Sequence, residues 1–473
     1  MKTKTILLSL FVCILLSSSY SQKLNTFGTE FIFPNIQSRG INIETGSLPC
    51  SVTITDMGNL FTQVINLPAD TAISLGLLTF ASPNYTRFVQ DNLFTQLAST
   101  RITSTNPIAV RYRSSDGAGG GMSSLLPVAE LGYKYTISTH HIEHNINQNF
   151  HNMLPYIVIT ATENNTPVTV IPTHNTDNGW LAGSSNTITL DRGESYPIRG
   201  KLCNYFGNTI RPFCFPMLQN SLNDFTGTQI YSDTCKKIKV TFYLPGAYIG
   251  GGKYIPASCC SESSIETVLP DNKLGRTYFV VPELHIIQGD LMKVMALENN
   301  TQIFIDNSFI KSMNKGDFLD TVITQPMKFT SNKDFHLSQI FMSSGNELIR
   351  NVWYDTTDPE FTYNYPIQFR SRSFGFTNIP SRAINNPFAN HLTIITETSN
   401  IANLTLDGNS IPSSKFLPFT SEPNISYAYF NVSDGFHLLR ATTGSFQALF
   451  SRNMVQGSQC YYSAIDTNVY FQN

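Results

Sequence analysis

Five consecutive residues, His140-His141-Ile142-Glu143-His144, carry the densest chemistry in the chain. They match H-x-x-E-H, the inverted zinc-peptidase pattern. There, two histidines on one helical face hold Zn²⁺ and the glutamate acts as base toward a metal-bound water. The surroundings weigh against that chemistry. The pattern follows a strand-like stretch, 133–138, and runs into the Asn-rich HNINQNFHN, which favours turns. A short helix would put Ile142, Ile146 and Phe150 on one face. His151 and His174 add local density without fixing a geometry. The preferred reading is a loop insertion, with His140, Glu143 and His144 kept as the one metal candidate and a secreted zinc hydrolase as the alternative function.

Other candidates fail on spacing. Gly250-Gly-Gly-Lys253 lacks the Ser/Thr and the first glycine of a phosphate loop and reads as a flexible segment. Glu163, Glu298 and Glu397 recur at matching positions, as paired carboxylates of a glycosidase would, but they fall in separate repeats. They read as side chains accepting hydrogen bonds from the backbone of a repeated turn. There is no G-x-S-x-G elbow and no calcium-loop signature. No catalytic residue and no cofactor is assigned, and the expected protein is not an enzyme.

The elements that would position such groups are strands. The 473 residues are 41% hydrophobic, 12% aromatic and 14% charged, too apolar for a disordered chain. Phe, Tyr and β-branched residues with Asn and Gly turns favour β structure. The formal net charge is −2. No basic block stands out, which argues against nucleic-acid or anionic-membrane partners.

Met1 to Ser21 reads as a secretory signal peptide: Lys2 and Lys4, the apolar run Ile6 to Leu16, then small residues Ser19 and Ser21 before Gln22. No later segment is apolar enough to span a bilayer, so a secreted, extracellular product is expected. Six acceptor sequons fit that route, at Asn84, Asn164, Asn299, Asn403, Asn424 and Asn431. Seven cysteines remain after the signal: Cys50, Cys203, Cys214, Cys235, Cys259, Cys260 and Cys460. Outside the cell they are disulfide candidates, with Cys203 and Cys214 the best local pair. The connectivity stays open, and the odd count points to a free thiol or a disulfide-linked partner.

Internal repetition organises the rest. VITATENNTPVTVI (158–171), VMALENNTQIFID (294–306) and IITETSNIANLTLD (394–407) each read as two alternating runs around an Asn-rich turn. That is a β-hairpin signature, with Asn-Asn at both centre positions of a primed turn. Leu190-Asp-Arg-Gly-Glu-Ser-Tyr196 echoes Met313-Asn-Lys-Gly-Asp-Phe318. Strand pairs follow, as in 327–330 and 336–341. Leu126-Pro-Val-Ala-Glu-Leu-Gly-Tyr133 matches Leu269-Pro-Asp-Asn-Lys-Leu-Gly-Arg-Thr-Tyr278. The expected fold is all-β: tandem antiparallel β-sandwich-like repeats of about six strands, with little helix. The division is 22–124, 125–267, 268–375 and 376–473 after the signal peptide at 1–21. A flat array of such sandwiches would offer loops and broad faces to ligands; a propeller ranks second.

These residues, in this order, resemble the N-terminal domain of the IgGFc-binding protein family. The motifs are Gly28-Thr-Glu-Phe31, the LP…LG…Y openers, ATENNT and ALENNT, Asp191-Arg-Gly-Glu194, Gly227-Thr-Gln-Ile230, and Cys260 ahead of Ile265-Glu-Thr-Val-Leu-Pro270. Residues 22–473 together resemble one such region. The resemblance implies a secreted, non-enzymatic binding or adhesion glycoprotein recognising extracellular proteins or glycans at mucus or cell surfaces. A matrix glycoprotein without a specific ligand is the other alternative. No discrete Fc-contact motif is present to map, and the cysteine-dense repeats of the family's namesake are missing.

Overall fold

The computed structural model describes residues 24–36, 38–58, 61–76, 95–114, 121–140, 155–200, 224–232, 236–247, 262–284, 289–342, 347–349, 352–354, 360–378, 390–454 and 457–462. The segment 1–21, expected to be a signal peptide, lies outside these. Strands hold 61% of the residues and helix 5%, as the all-β reading expects. The described helical pieces are 3₁₀ turns of three to six residues.

Four groups of strands follow one another. The first holds β1 (Gly28–Pro34), β2 (Ser38–Thr45), β3 (Cys50–Asp56), β4 (Phe61–Leu67), β5 (Ala72–Leu75), β6 (Gln96–Leu97), β7 (Ser99–Ser114) and β8 (Met122–Ser124). The second holds β9 (Lys134–Thr136), β10 (Tyr156–Ala161), β11 (Thr166–Ile171), β12 (Asn186–Leu190), β13 (Glu194–Arg199), β14 (Gln229–Ser232), β15 (Ile238–Ala247) and β16 (Glu262–Thr267). The third holds β17 (Gly275–Val280), β18 (Asp290–Ala296), β19 (Thr301–Ile305), β20 (Ser308–Met313), β21 (Phe318–Ile323), β22 (Met327–Phe341), β23 (Glu347–Ile349), β24 (Val352–Tyr354) and β25 (Glu360–Tyr363). The fourth holds β26 (Ser373–Asn378), β27 (Asn390–Glu397), β28 (Leu404–Leu406), β29 (Asn409–Ser410), β30 (Leu417–Phe419), β31 (Glu422–Asn431), β32 (Gly435–Ala441), β33 (Phe446–Met454) and β34 (Gly457–Tyr462).

One pairing scheme recurs in all four. The first half of β22 pairs with β17 and β19, and its second half with β18 and β25. β7 does the same with β1 and β3, then with β2 and β8. In the other two units the central strand is divided, and the bent sheet separates into two. These are β12-β11-β14-β9 with β16-β15-β10-β13, and β26-β32-β28-β29 with β30-β31-β27-β33-β34. β6 crosses over to pair with β13 of the second unit.

This arrangement corrects three expectations. The 158–171 and 294–306 segments are corners rather than hairpins: β10 and β11 lie in different sheets, and β18 and β19 each pair with β22. Only the second Asn of each turn is left-handed (Asn165, φ 52°; Asn300, φ 58°), where a primed two-residue turn needs both. The chain therefore passes to another sheet in the second unit, and across β22 in the third, instead of folding back in register. In the fourth unit a 3₁₀ turn, Thr398–Asn403, takes the corner. Likewise 327–330 and 336–341 are two stretches of the single strand β22, not a pair. The common plan accordingly has seven strand positions, not six.

Prolines connect the units. Pro127, Pro270 and Pro366 each begin a tight turn, their carbonyls accepting from the N–H of Glu130 (2.9 Å), Lys273 (2.8 Å) and Phe369 (2.9 Å). Each packs on a glycine that opens the preceding unit: Pro127 on Gly28, Pro270 on Gly132, Pro366 on Gly275. A Cβ at Gly132 would stand 2.5 Å from Pro270 Cβ, and one at Gly275 would stand 2.6 Å from Pro366 Cβ. In the fourth unit the same register position is Ser371, which bridges to Phe446 as Gly275 pairs with Phe335. There the residue carries its own side chain.

The units close into a ring rather than a flat array. The turn entering β13 sets the Gly193 carbonyl against the first unit, where Ser99 Oγ donates to it at 2.6 Å and Arg192 pairs with Glu30. The turn entering β21 brings Lys315 Nζ to Gln229 of the second unit at 2.7 Å. The turn entering β31 brings Ser421 Oγ to Asp306 of the third unit at 2.6 Å, and Lys328 lies 3.1 Å from Glu422. The turn entering β5 closes the cycle, pairing Asp70 with Arg440 of the fourth unit. At the axis the last strands pack in the same cycle: β8 on β16, β16 on β25, β25 on β34, β34 on β8. Head-to-tail contacts close when the rotation per unit allows it, and here four suffice.

Candidate functional site

Buried charge concentrates in the joints between units, and each joint has its own chemistry. Where the fourth unit meets the first, Arg111 pairs with Glu44 at 2.8 Å, both side chains 3% exposed. Gly375 N–H donates to the other Glu44 oxygen at 2.6 Å, and the guanidinium lies over the Phe374 ring. Met122 of β8 is inserted in the fourth unit's core beside Phe374 and Phe376. Burial raises the Glu44 pKa, and Arg111 and the Gly375 hydrogen bond oppose it.

Between the first and second units, Ser123 Oγ donates to Glu266 at 3.0 Å and accepts Thr267 N–H at 2.9 Å. Lys239 Nζ donates to Thr267 Oγ1 at 2.5 Å. Burial pushes Glu266 up to about 8 and Lys239 down to about 7. Nearer β25, Ser264 Oγ donates to Glu360 at 3.0 Å.

Between the second and third units, Lys293 is fully buried, 3.0 Å from Asp224 and 3.2 Å from Asp320, over the Phe318 ring. Burial would raise the Asp224 carboxyl, but Lys293, His140 and Thr226 together hold it well below the usual range. Between the third and fourth units, Glu283 faces His391 Nε2 at 2.9 Å and accepts Ser451 Oγ at 2.9 Å. Asp290 accepts Glu283 N–H at 2.8 Å and Gln339 Nε2 at 2.6 Å. Burial, with the Glu283 charge adding to it, pushes Asp290 up to about 8.

Such shifted groups resemble acid–base machinery, and they are buried. The cavity beside Glu266, lined by Phe33, Tyr112, Ser123, Thr241 and Thr267, is about 10 Å³, room for a single water. In each joint these groups bond across neighbouring units.

One sequence candidate reaches a joint. His140 is buried beside Asp224 in the second joint, while Glu143 and His144 lie outside the described residues. Among the described residues no three His, Cys, Asp or Glu side chains are grouped to hold a metal. Gly250 to Lys253 also lies outside them. The three repeated glutamates stay apart: Glu298 pairs with Lys333 at 3.4 Å and Glu397 with Arg370 at 2.6 Å. In the turns it is the Glu163 and Glu298 carbonyls, not the carboxylates, that accept, from Thr166 and Thr301 hydroxyls at 2.7 Å each. A β-hydroxyl three residues on reaches the carbonyl without bending the longer Glu side chain back.

Asn164, Asn299, Asn424 and Asn431 are exposed and Asn403 half-buried; Asn84 lies outside the described residues. Asn164 and Asn299 use their side-chain Oδ1 atoms to accept the backbone N–H of Arg192 and Lys315 at 3.0 Å. Cys50 is buried in the first core and makes no disulfide with a described residue. Cys203, Cys214, Cys235, Cys259, Cys260 and the Cys460 side chain lie outside the described residues. The aromatics Phe361, Tyr363 and Tyr365 belong to the core. Exposed apolar side chains sit instead on outer strands: Phe61 and Val64 on β4, Phe309 and Ile310 on β20. No described helix is long and apolar enough to cross a membrane.

Residues 121–451, from the foot of β8 into β33, match the family described as IgGFc binding protein. The chain belongs to the IgGFc binding protein family. The match takes in the second, third and fourth units and their prolines, and it leaves residues 24–114 outside. The family is one of binding proteins. No curated protein matches the chain. The joint residues Glu44, Arg111, Lys293 and Glu283 were not among the sequence candidates. Isolated charges in otherwise apolar strands, such as Lys293 in DLMKVMA, were the only available signal.

Proposed function

We propose that the protein is a secreted, non-enzymatic binding glycoprotein that recognises extracellular protein or glycan ligands at mucus or cell surfaces. The family match over 121–451 carries this reading. The exposure of four sequon asparagines supports it, since transfer of a glycan needs an accessible acceptor. Burial of the joint charges supports it too, since it leaves recognition to the outer strands and turns. The cysteines of the segments 201–223 and 248–261 are proposed to be bridged in that compartment.

Expression of the full chain in eukaryotic cells tests the first half. The expected product is in the medium, begins at Gln22 and loses mass with endoglycosidase. Retention in the cytosol without glycan would overturn it. Arrays of glycans, mucins and immunoglobulin fragments test the second half, with saturable micromolar binding expected. No saturable ligand would leave a matrix role in its place.

A further inference from the structure

We propose that Lys293 and Asp224 form a cross-link of their own accord: in the folded chain the Lys293 amine condenses with the Asp224 carboxyl to an amide, tying the third unit covalently to the second. The inference is independent of what the protein binds.

Four observations converge on this site. Lys293 Nζ lies 3.0 Å from Asp224 Oδ2, with the lysine side chain fully buried and the aspartate 6% exposed. A nucleophile and its acceptor are thus held together away from bulk water, which replaces a bimolecular encounter by a fixed geometry. The other oxygen of the same carboxyl, Asp224 Oδ1, accepts Thr139 Oγ1 at 2.8 Å and Thr226 N–H at 3.0 Å. Donors so placed would hold the oxyanion of a tetrahedral intermediate. A second carboxylate stands ready to carry protons: Asp320 faces Lys293 across β18 and β21, its Oδ1 3.2 Å from Nζ. That buried oxygen accepts no hydrogen bond among the described residues. Finally, Nζ rests 3.8 Å from the centre of the Phe318 ring, an apolar neighbour that solvates an ammonium less well than water does.

Lys293 and His140 keep Asp224 ionised at rest, so the reaction begins with a proton passing from Nζ to Oδ2 along the 3.0 Å contact. The neutral amine then attacks Cγ, the N–C bond forms, and Oδ1 takes the negative charge. Asp320 accepts one proton from Nζ and hands it to Oδ2. The Cγ–Oδ2 bond breaks, one water leaves, and Nζ keeps a single hydrogen as the amide N–H. Asp320 is regenerated, and no oxidant or co-reactant is needed. Burying two charges is costly, and the amide removes both. The product spans 69 positions of sequence and would brace one joint of the ring covalently.

Peptide mapping tests this. The full chain secreted from eukaryotic cells is denatured, reduced, deglycosylated, digested with trypsin and sequenced by tandem mass spectrometry. Lys293 is expected to resist cleavage, and its peptide to be joined to the one carrying Asp224, the pair lighter than their sum by one water. Cleavage after Lys293 with both peptides linear would overturn the cross-link and leave an ion pair. Asp320→Asn keeps both reacting groups and removes the proton carrier. In protein whose circular dichroism matches the parent, its linked fraction should fall at least about tenfold; a fully linked Asp320→Asn protein would overturn the role of Asp320. The parent digest decides the cross-link whether or not that variant folds.

Discussion

The backbone N–H of Gly375 donates to the Glu44 carboxylate at 2.6 Å, joining residues 331 positions apart and the last unit to the first. Glu44 is compensated there by Arg111, and neither side chain reaches solvent. Breaking a buried pair by removing one partner costs about 3–5 kcal/mol, because the remaining charge is stranded. Arg111→Met is therefore expected to destabilise the protein by that amount in chemical denaturation. The double variant Arg111→Met/Glu44→Gln should recover most of the loss. An Arg111→Met protein as stable as the parent would remove the pair from the closing joint.

The linker prolines make a steric prediction. Gly132→Ala forces a methyl against Pro270, and Gly275→Ala against Pro366. Overpacking of this kind costs about 1–3 kcal/mol. Ser371→Ala, at the equivalent position of the fourth unit, should cost less. Thermal melts of the three variants check the order.

Tyr135 and Tyr278 follow those glycines by three residues and play one role. Each hydroxyl accepts the glycine N–H (3.0 and 3.1 Å) and donates to a carbonyl of the central strand, Ile238 at 2.6 Å and Phe335 at 2.7 Å. Phe31 and Phe374 occupy the same register position without a hydroxyl. Tyr135→Phe and Tyr278→Phe should each lose about 1–2 kcal/mol, the worth of the hydroxyl's bonds, while leaving the fold intact. Denaturant midpoints and circular dichroism would show both.

Stability should fall as pH rises from about 5 to 7. Glu266 and Asp290 have folded pKa values near 8, raised above their unfolded values of 4.5 and 3.8. Each stays protonated in the folded state while its unfolded counterpart ionises, so stability is lost progressively up to about pH 8. Lys239, lowered to about 7, works the other way only above pH 7, and His336, lowered to about 3, only below 6.5. Two carboxylates against one histidine set the sign between 5 and 6.5. Glu266→Gln should flatten the slope; an unchanged profile would show that Glu266 is not the titrating group.

Local motifs were legible in the sequence and their connections were not. The alternation in VITATENNTPVTVI and VMALENNTQIFID gave strands in the right places, but alternation does not say which strands pair, and the corners passed for hairpins. The L-G openers were visible as repeats. Matching Tyr133 to Tyr278 failed because Tyr133 directly follows its glycine while Tyr278 stands three residues after its own; Tyr133 is exposed, and Tyr135 takes the role. Glu44 and Arg111 showed only as charges in apolar strands, since their meaning depends on a backbone N–H in the last unit. The five residues of the HHIEH segment could not show that His140 turns inward to a joint.

Small-angle scattering of the deglycosylated protein tests the closed ring most directly. A compact body of this length has a radius of gyration of about 22–23 Å, whereas four such units strung in a line would exceed about 35 Å. The ring predicts the smaller value with a single compact distance distribution; a value near the larger one, with an extended tail, would contradict it.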